Sequence, residues 1–147
     1  MTVFTKRLSL STGGENDIVD ITGEVKGAVE ESGLNDGLAV VFVRGSTAAV
    51  TTIEYEPGLA KDFPAILERV APKSMKYEHQ KAWQDDNGRS HVKASLIGPS
   101  LTVPFEDQNL TLGAWQQIVL VELDIGPRHR EIVVQVLGEA GNPKESE

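Results

Sequence analysis

The stretch 116–124 reads Gln-Gln-Ile-Val-Leu-Val-Glu-Leu-Asp, and the stretch 131–137 reads Glu-Ile-Val-Val-Gln-Val-Leu. Both are rich in β-branched residues and apolar at successive positions, which is typical of strands that are buried on both faces. In a domain of this size, one face would meet the helices and the other would meet a second sheet or another subunit. The two stretches therefore predict an α+β fold with a mostly antiparallel, sandwich-like sheet system.

Outward from these strands, the hydrophobic pattern predicts five more strands and two helices, separated by turns rich in Gly, Pro and Asn. The strands are predicted at 3–10, 38–43, 48–53, 91–97 and 101–105, and the helices at 20–32 and 59–70. The segment 73–89 is polar and has little periodicity, so it is predicted as a long loop, which is usually functional or mobile. We expect one domain over residues 1–140 and a polar C-terminal tail over 141–147.

The composition narrows the class of protein. The chain has 147 residues, 22 acidic against 14 basic side chains, a net charge of −8 and no cysteine. The acidic balance weighs against nucleic acid or an anionic membrane as partners, and the lack of cysteine excludes disulfides and thiolate chemistry. No apolar run reaches the ~18 residues of a membrane span, and the N-terminus lacks the apolar core of a signal peptide. We therefore predict a soluble cytoplasmic protein.

Histidines provide the first candidates for chemistry. In the predicted strand 91–97, His91, Lys93 and Ser95 would share one face, and His79 lies in the preceding polar segment. A face of this kind can bind an anion or move a proton. The alternative is an ordinary solvated sheet face.

Carboxylates within apolar strands are the second candidates. Glu122 lies among apolar neighbours, and Glu54 ends the strand 48–53. A buried carboxylate must be paired with a cation or a hydrogen-bond donor, or its pKa rises. Each of these residues is therefore a general base, a metal ligand or half of a structural ion pair. Two histidines and one carboxylate would also suit zinc, although His79 and His91 lack a short-range ligand motif such as H-E-x-x-H.

Two further features suit an anionic ligand. Arg128 and Arg130 would point the same way in a strand, where two guanidinium groups fit a phosphate or a carboxylate. The alternative is pairing with acidic side chains of the same chain. The backbone amides of the small, hydroxyl-rich connection 45–48 could form an anion nest.

Several motifs in order resemble those of the YjbQ family, also called the secondary thiamine-phosphate synthase family. They are Gly-Ser-Thr-Ala at 45–48 leading to Glu54, Tyr77-x-His79, Asn87-x-x-x-His91, Leu-Gly-x-Trp-Gln-Gln at 112–117, Glu122-x-Asp124, and Gly-Pro-Arg-x-Arg at 126–130. The resemblance spans essentially the whole chain. It implies a sandwich-like α+β subunit that forms a homotrimer, with a polar cleft at or near the subunit interface. It also implies a thiamine-phosphate synthase-like reaction, in which a pyrimidine diphosphate joins a thiazole phosphate and loses pyrophosphate.

With this resemblance, the candidate residues receive roles. The predicted catalytic residues are His79, His91 and Glu122, and the predicted ligand-binding residues are Ser46, Thr47, Asn87, Lys93, Gln116, Arg128 and Arg130. A divalent metal, Mg or Zn, is predicted at His79, His91 and Glu54. Many family members have His-Thr-Thr-Ala at 45–48, so Gly45 removes a side chain that could ligate a metal or carry a proton. The alternative function is therefore a non-catalytic trimer that binds a phosphorylated metabolite or a divalent metal.

Overall fold

A computed structural model describes residues 1–141, so the predicted tail lies, apart from Gly141, outside the described residues. Eight strands and four helices make up the described part of the chain. In chain order they are β1 (Thr2–Ser11), β2 (Ile18–Asp20), α1 (Thr22–Ser32), β3 (Asp36–Val43), β4 (Ala48–Ile53), α2 (Leu59–Val70), α3 (Glu78–Trp83), α4 (Gly88–Ile97), β5 (Ser100–Glu106), β6 (Asn109–Leu110), β7 (Gln117–Glu122) and β8 (His129–Glu139).

The strands form two antiparallel sheets. The larger has the order β1-β8-β3-β5-β6, and the smaller has the order β2-β7-β4. The strand β8 lies between β1 and β3, with Leu137 opposite Val3 on one side and opposite Leu38 on the other. This arrangement confirms the predicted α+β class and its antiparallel sheet system.

The strand β7 is buried on both faces, as its sequence predicted. Ile118 and Leu120 belong to the main core, which lies between the larger sheet, the smaller sheet and α1. Val119 and Val121 belong to a second apolar cluster with residues of α2 and α4. One face of β7 therefore meets the other sheet, and its other face meets helices.

The prediction for 73–97 was wrong. The predicted loop contains α3, and the predicted strand 91–97 is the greater part of the helix α4. The alternation of polar and apolar residues there is misleading, because α4 buries two charged side chains and exposes two of its apolar ones. Arg89 and Lys93 are buried, whereas Val92 and Leu96 are exposed. His91 and Lys93 consequently lie on different faces of a helix rather than on one face of a strand.

Three chain segments converge at one end of the smaller sheet. Ala48 at the start of β4 pairs with Glu122 at the end of β7, so the turn before β4 lies beside the turn after β7. The helices α3 and α4 reach the same end, where the two turns and the helices line a common cleft. Among the described residues, no helix is both long and apolar enough to cross a bilayer.

Candidate functional site

An open cleft of about 510 Å³ lies where these segments converge. Its volume is in the range of small-molecule sites. Seven of the predicted site residues line it, namely Ser46, Thr47, His79, Asn87, His91, Arg128 and Arg130. Their sequence separation is large, yet the structure brings them together.

The two histidines form one part of the cleft. The ring centroids of His79, on α3, and His91, on α4, are 4.4 Å apart, with the ring planes at 51°. His79 Nε2 lies 3.2 Å from Asp85 Oδ1. The histidines are therefore neighbours, as a shared role would require, but the catalytic roles assigned to them stay predictions.

Arg130 lines the cleft and forms a buried ion pair with Glu122, which lies behind it and does not line the cleft. Arg130 Nε donates to Glu122 Oε1 at 2.8 Å, and Nη2 donates to Oε2 at 2.5 Å. Thr12 Oγ1 donates to the same carboxylate at 2.7 Å, and so does the backbone N–H of Asp124, at 3.1 Å. Burial acts to raise the pKa of Glu122, but the hydrogen bonds from Arg130 and Thr12 outweigh it and hold that pKa below its usual value. Glu122 is thus an anion with its partners in place.

A second ion pair, between Arg128 and Asp124, lies nearer the cleft opening. Arg128 Nε and Nη2 approach the same oxygen, Asp124 Oδ2, at 2.8 and 2.7 Å. Thr47 Oγ1 donates to this oxygen at 3.0 Å, and Asn87 Nδ2 lies 3.4 Å from the other carboxylate oxygen. Burial acts to raise the pKa of Asp124, but hydrogen bonds from the backbone N–H of Ile125, from Thr47 and from Arg128 outweigh it and hold that pKa below its usual value. The Arg128 side chain is 56% exposed, so it remains accessible to a ligand.

The turn 45–47 lines the cleft beside Arg130. Within residues 1–141, none of its three backbone N–H groups donates to a protein acceptor. Gly45 has φ +121°, and a Cβ at this position would lie 2.7 Å from Arg130 Nη1. The backbone conformation favours glycine here, and a larger residue would have to displace the Arg130 guanidinium.

Four predicted residues do not line the cleft, and one of them, Glu122, lies buried against Arg130. Lys93 is buried on another face of α4, with Nζ 3.4 Å from Glu68 Oε2 and 4.0 Å from Glu15 Oε1. Gln116 Nε2 donates to Thr52 Oγ1 at the opposite end of the smaller sheet. Glu54 follows β4 at that same end, about 20 Å along the strand from the cleft.

The predicted metal ligands are therefore not assembled. Glu54 lies far from His79 and His91, because the strand that precedes it runs away from the cleft. In the part of the chain that the structure describes, no three His, Asp or Glu side chains are arranged to hold a metal ion. These three residues do not fit the zinc-type site that the sequence suggested.

Sequence reasoning missed two residues that line the cleft, Trp83 and Asp85. Both lie in or directly after α3, in the segment that was expected to be a loop. The signal that could have found Trp83 is its spacing of four from His79, which places both side chains on one face of a helix.

Comparison with known proteins gives a consistent result. Residues 6–139 match the family model described as UPF0047 protein YjbQ-like. A UPF0047 protein of Methanothermobacter thermautotrophicus is 41% identical over 138 residues, which is 94% of each chain. A UPF0047 protein of Archaeoglobus fulgidus is 38% identical over 88% of this chain and 98% of its own length.

Solved structures of related proteins also resemble the chain. A YbjQ-like protein of unknown function from Sulfolobus solfataricus superposes with a TM-score of 0.88 at 35% identity, covering 94% of this chain and 99% of that one. An uncharacterised YjbQ/UPF0047 protein from Clostridium acetobutylicum gives a TM-score of 0.82 at 40% identity, covering 90% of this chain and 99% of that one. The chain therefore belongs to the UPF0047 family of YjbQ-like proteins.

Proposed function

We propose that the cleft binds a phosphorylated small molecule. The observation that carries this proposal is the position of the accessible Arg128 guanidinium on the same cleft as the turn 45–47, whose amides have no protein acceptor within the described residues. A guanidinium group and free backbone N–H groups are the donors that proteins use for phosphate oxygens.

We further propose the thiamine-phosphate synthase-like reaction as the chemistry of this site. The methylene carbon–oxygen bond of the pyrimidine diphosphate breaks, and its electron pair leaves with pyrophosphate. The thiazole nitrogen forms the new carbon–nitrogen bond with its lone pair, so the protein supplies no nucleophile. Arg128 and the 45–47 amides would stabilise the charge that develops on the leaving group. His91, assisted by His79, would protonate the departing pyrophosphate.

A second candidate function is binding without turnover, and Glu122 favours it. Its carboxylate accepts hydrogen bonds from Arg130, Thr12 and the backbone N–H of Asp124, and its pKa is lowered. A carboxylate in that state is a poor general base. In this account Glu122 holds Arg130 in place beneath a phosphate-binding surface. A divalent ion remains a further prediction, which elemental analysis of the purified protein tests.

A product assay separates these two candidates. Purified protein is mixed with the pyrimidine diphosphate, the thiazole phosphate and magnesium, and thiamine phosphate is followed by fluorescence after oxidation. The variant His91→Ala, prepared in parallel, controls for a contaminating synthase. Product from the parent protein and not from the variant supports the enzyme. Equal product or none contradicts it and leaves ligand binding as the function.

We also propose that the chain assembles as the homotrimer that the resemblance implies, through the outer face of the larger sheet. Phe42 and Leu38 on β3 and Val3 on β1 are each more than 40% exposed there. Light scattering would give three times the chain mass of 15.9 kDa. Phe42→Glu would dissociate such a trimer, whereas a monomeric parent protein would contradict the assembly.

A further inference from the structure

Aromatic rings make up a distinct part of the cleft. His79 and Trp83 are four residues apart on α3, so their side chains share one helix face, and both line the cleft. His91 extends the same surface, since its ring centroid is 4.4 Å from that of His79. We call these three residues the aromatic surface of the cleft.

Trp83 lines the cleft and is large, apolar and 73% exposed. An exposed indole in a cleft offers a flat face on which a planar ring can stack, and such stacking adds to binding without requiring hydrogen-bond complementarity. The aromatic surface and Arg128 line the same space of about 510 Å³, so one small ligand can contact both. The cleft therefore combines a flat apolar surface with an anion-binding group.

We propose that Trp83 determines the specificity of the cleft and selects phosphorylated ligands that carry a planar aromatic or heteroaromatic ring. This inference rests on the proposed function, whose pyrimidine and thiazole substrates carry such rings, and it adds the residue that would hold the ring. Arg128 and the 45–47 amides hold the phosphate, and the ring lies against Trp83. A phosphorylated aliphatic compound gains only the first set of contacts.

Tryptophan fluorescence can test this inference, because the chain has only one tryptophan besides Trp83. Trp115 precedes Gln116, which bonds to Thr52 at the opposite end of the smaller sheet from the cleft. In the variant Trp115→Phe, the remaining tryptophan fluorescence reports on Trp83 alone. This variant is titrated with phenyl phosphate, glycerol 3-phosphate and inorganic phosphate. The same titrations are followed by calorimetry in Trp83→Ala and Trp83→Phe.

The inference predicts that phenyl phosphate quenches Trp83 fluorescence and binds on the order of tenfold more tightly than glycerol 3-phosphate. Trp83→Ala should remove this preference and leave the affinity for inorganic phosphate unchanged, whereas Trp83→Phe should keep most of the preference. Equal affinities for phenyl phosphate and glycerol 3-phosphate would overturn the inference while the phosphate site stands. A change of oligomeric mass in Trp83→Ala with the preference intact would also overturn it, since Trp83 would then be a subunit contact. No binding of any of the three phosphates would overturn the proposed function itself.

Discussion

Arg130 donates two parallel hydrogen bonds to Glu122, from Nε at 2.8 Å and from Nη2 at 2.5 Å, and both side chains are buried. The same Nη2 also donates to Thr47 Oγ1 at 2.8 Å. This pair joins the start of β8 to the end of β7 and to the turn before β4. It therefore fixes the base of the cleft.

The buried pair should dominate the stability of this end of the molecule. Removing one partner leaves an uncompensated buried charge, which costs about 3–5 kcal/mol. Glu122→Ala should lower the free energy of unfolding in urea by that amount. The control is Glu139→Ala, because the contact of Glu139 with the N-terminal amine is exposed and should contribute little. Similar stabilities for the two variants would contradict the structural role of the pair.

Acidification should destabilise the protein. The pKa values of Glu122 and Asp124 are both below their ordinary values, because their hydrogen-bond donors outweigh the effect of burial. The unfolded chain then binds these protons more readily than the folded one, so the stabilisation is complete above about pH 5 and is lost as the pH falls through the lowered pKa values. Urea unfolding at a series of pH values measures this, and Asp124→Asn should show a weaker dependence. A free energy of unfolding that stays constant from about pH 7 to pH 3 would contradict the predicted acid destabilisation.

Gly45 should be intolerant of a side chain. Its positive φ and the 2.7 Å approach of Arg130 Nη1 to an added Cβ both oppose substitution. Gly45→Ala should cost about 1–3 kcal/mol and weaken phosphate binding by displacing Arg130. Gly27 in the middle of α1 is the matched control, because an added Cβ there meets nothing within 4 Å. Gly27→Ala should stabilise the protein by about 0.5–1 kcal/mol in thermal or urea unfolding; a stable Gly45→Ala variant would contradict the account.

The helix α4 should depend on its buried charges. Arg89 Nε and Nη2 donate to the carboxylate of Glu15 at 2.9 and 3.0 Å, and the Arg89 side chain is only 4% exposed. Arg89→Ala should lower the free energy of unfolding by about 1.5–3 kcal/mol, the contribution of hydrogen bonds between charged groups. Arg69→Ala, at an exposed position of α2, should change it by less than about 0.5 kcal/mol. Equal effects of the two substitutions would refute the anchoring role of Arg89.

These buried charges also explain which parts of the fold the sequence could predict. The strands β3, β7 and β8 and the helix α1 bury aliphatic side chains, so their hydrophobic pattern reports their structure directly. In α4 the largest buried side chains are those of Arg89 and Lys93, whose acidic partners lie in distant parts of the chain. The sequence shows only the alternation of Val92, Ala94 and Leu96 with polar residues, which has the period of a strand.

The candidate site was predictable to the extent that its residues lie at turns next to well-predicted strands. Thr47 and Arg128 were found in this way, before β4 and after β7. Glu54 and Gln116 lie at the other end of the same strands, and residue type alone cannot reveal at which end of a strand a ligand binds. Trp83 was missed because α3 is short and its single turn of spacing is a weak signal.

The central claim is that the cleft binds phosphate groups through Arg128. Calorimetric titration with inorganic pyrophosphate tests it most directly, comparing the parent protein with Arg128→Ala and with Arg44→Ala. Arg44 is the control because it is equally exposed and contacts Glu131 instead of lining this cleft. We predict saturable binding that weakens about tenfold or more in Arg128→Ala and is unchanged in Arg44→Ala. No binding by the parent protein, or equal binding by all three proteins, would contradict the account.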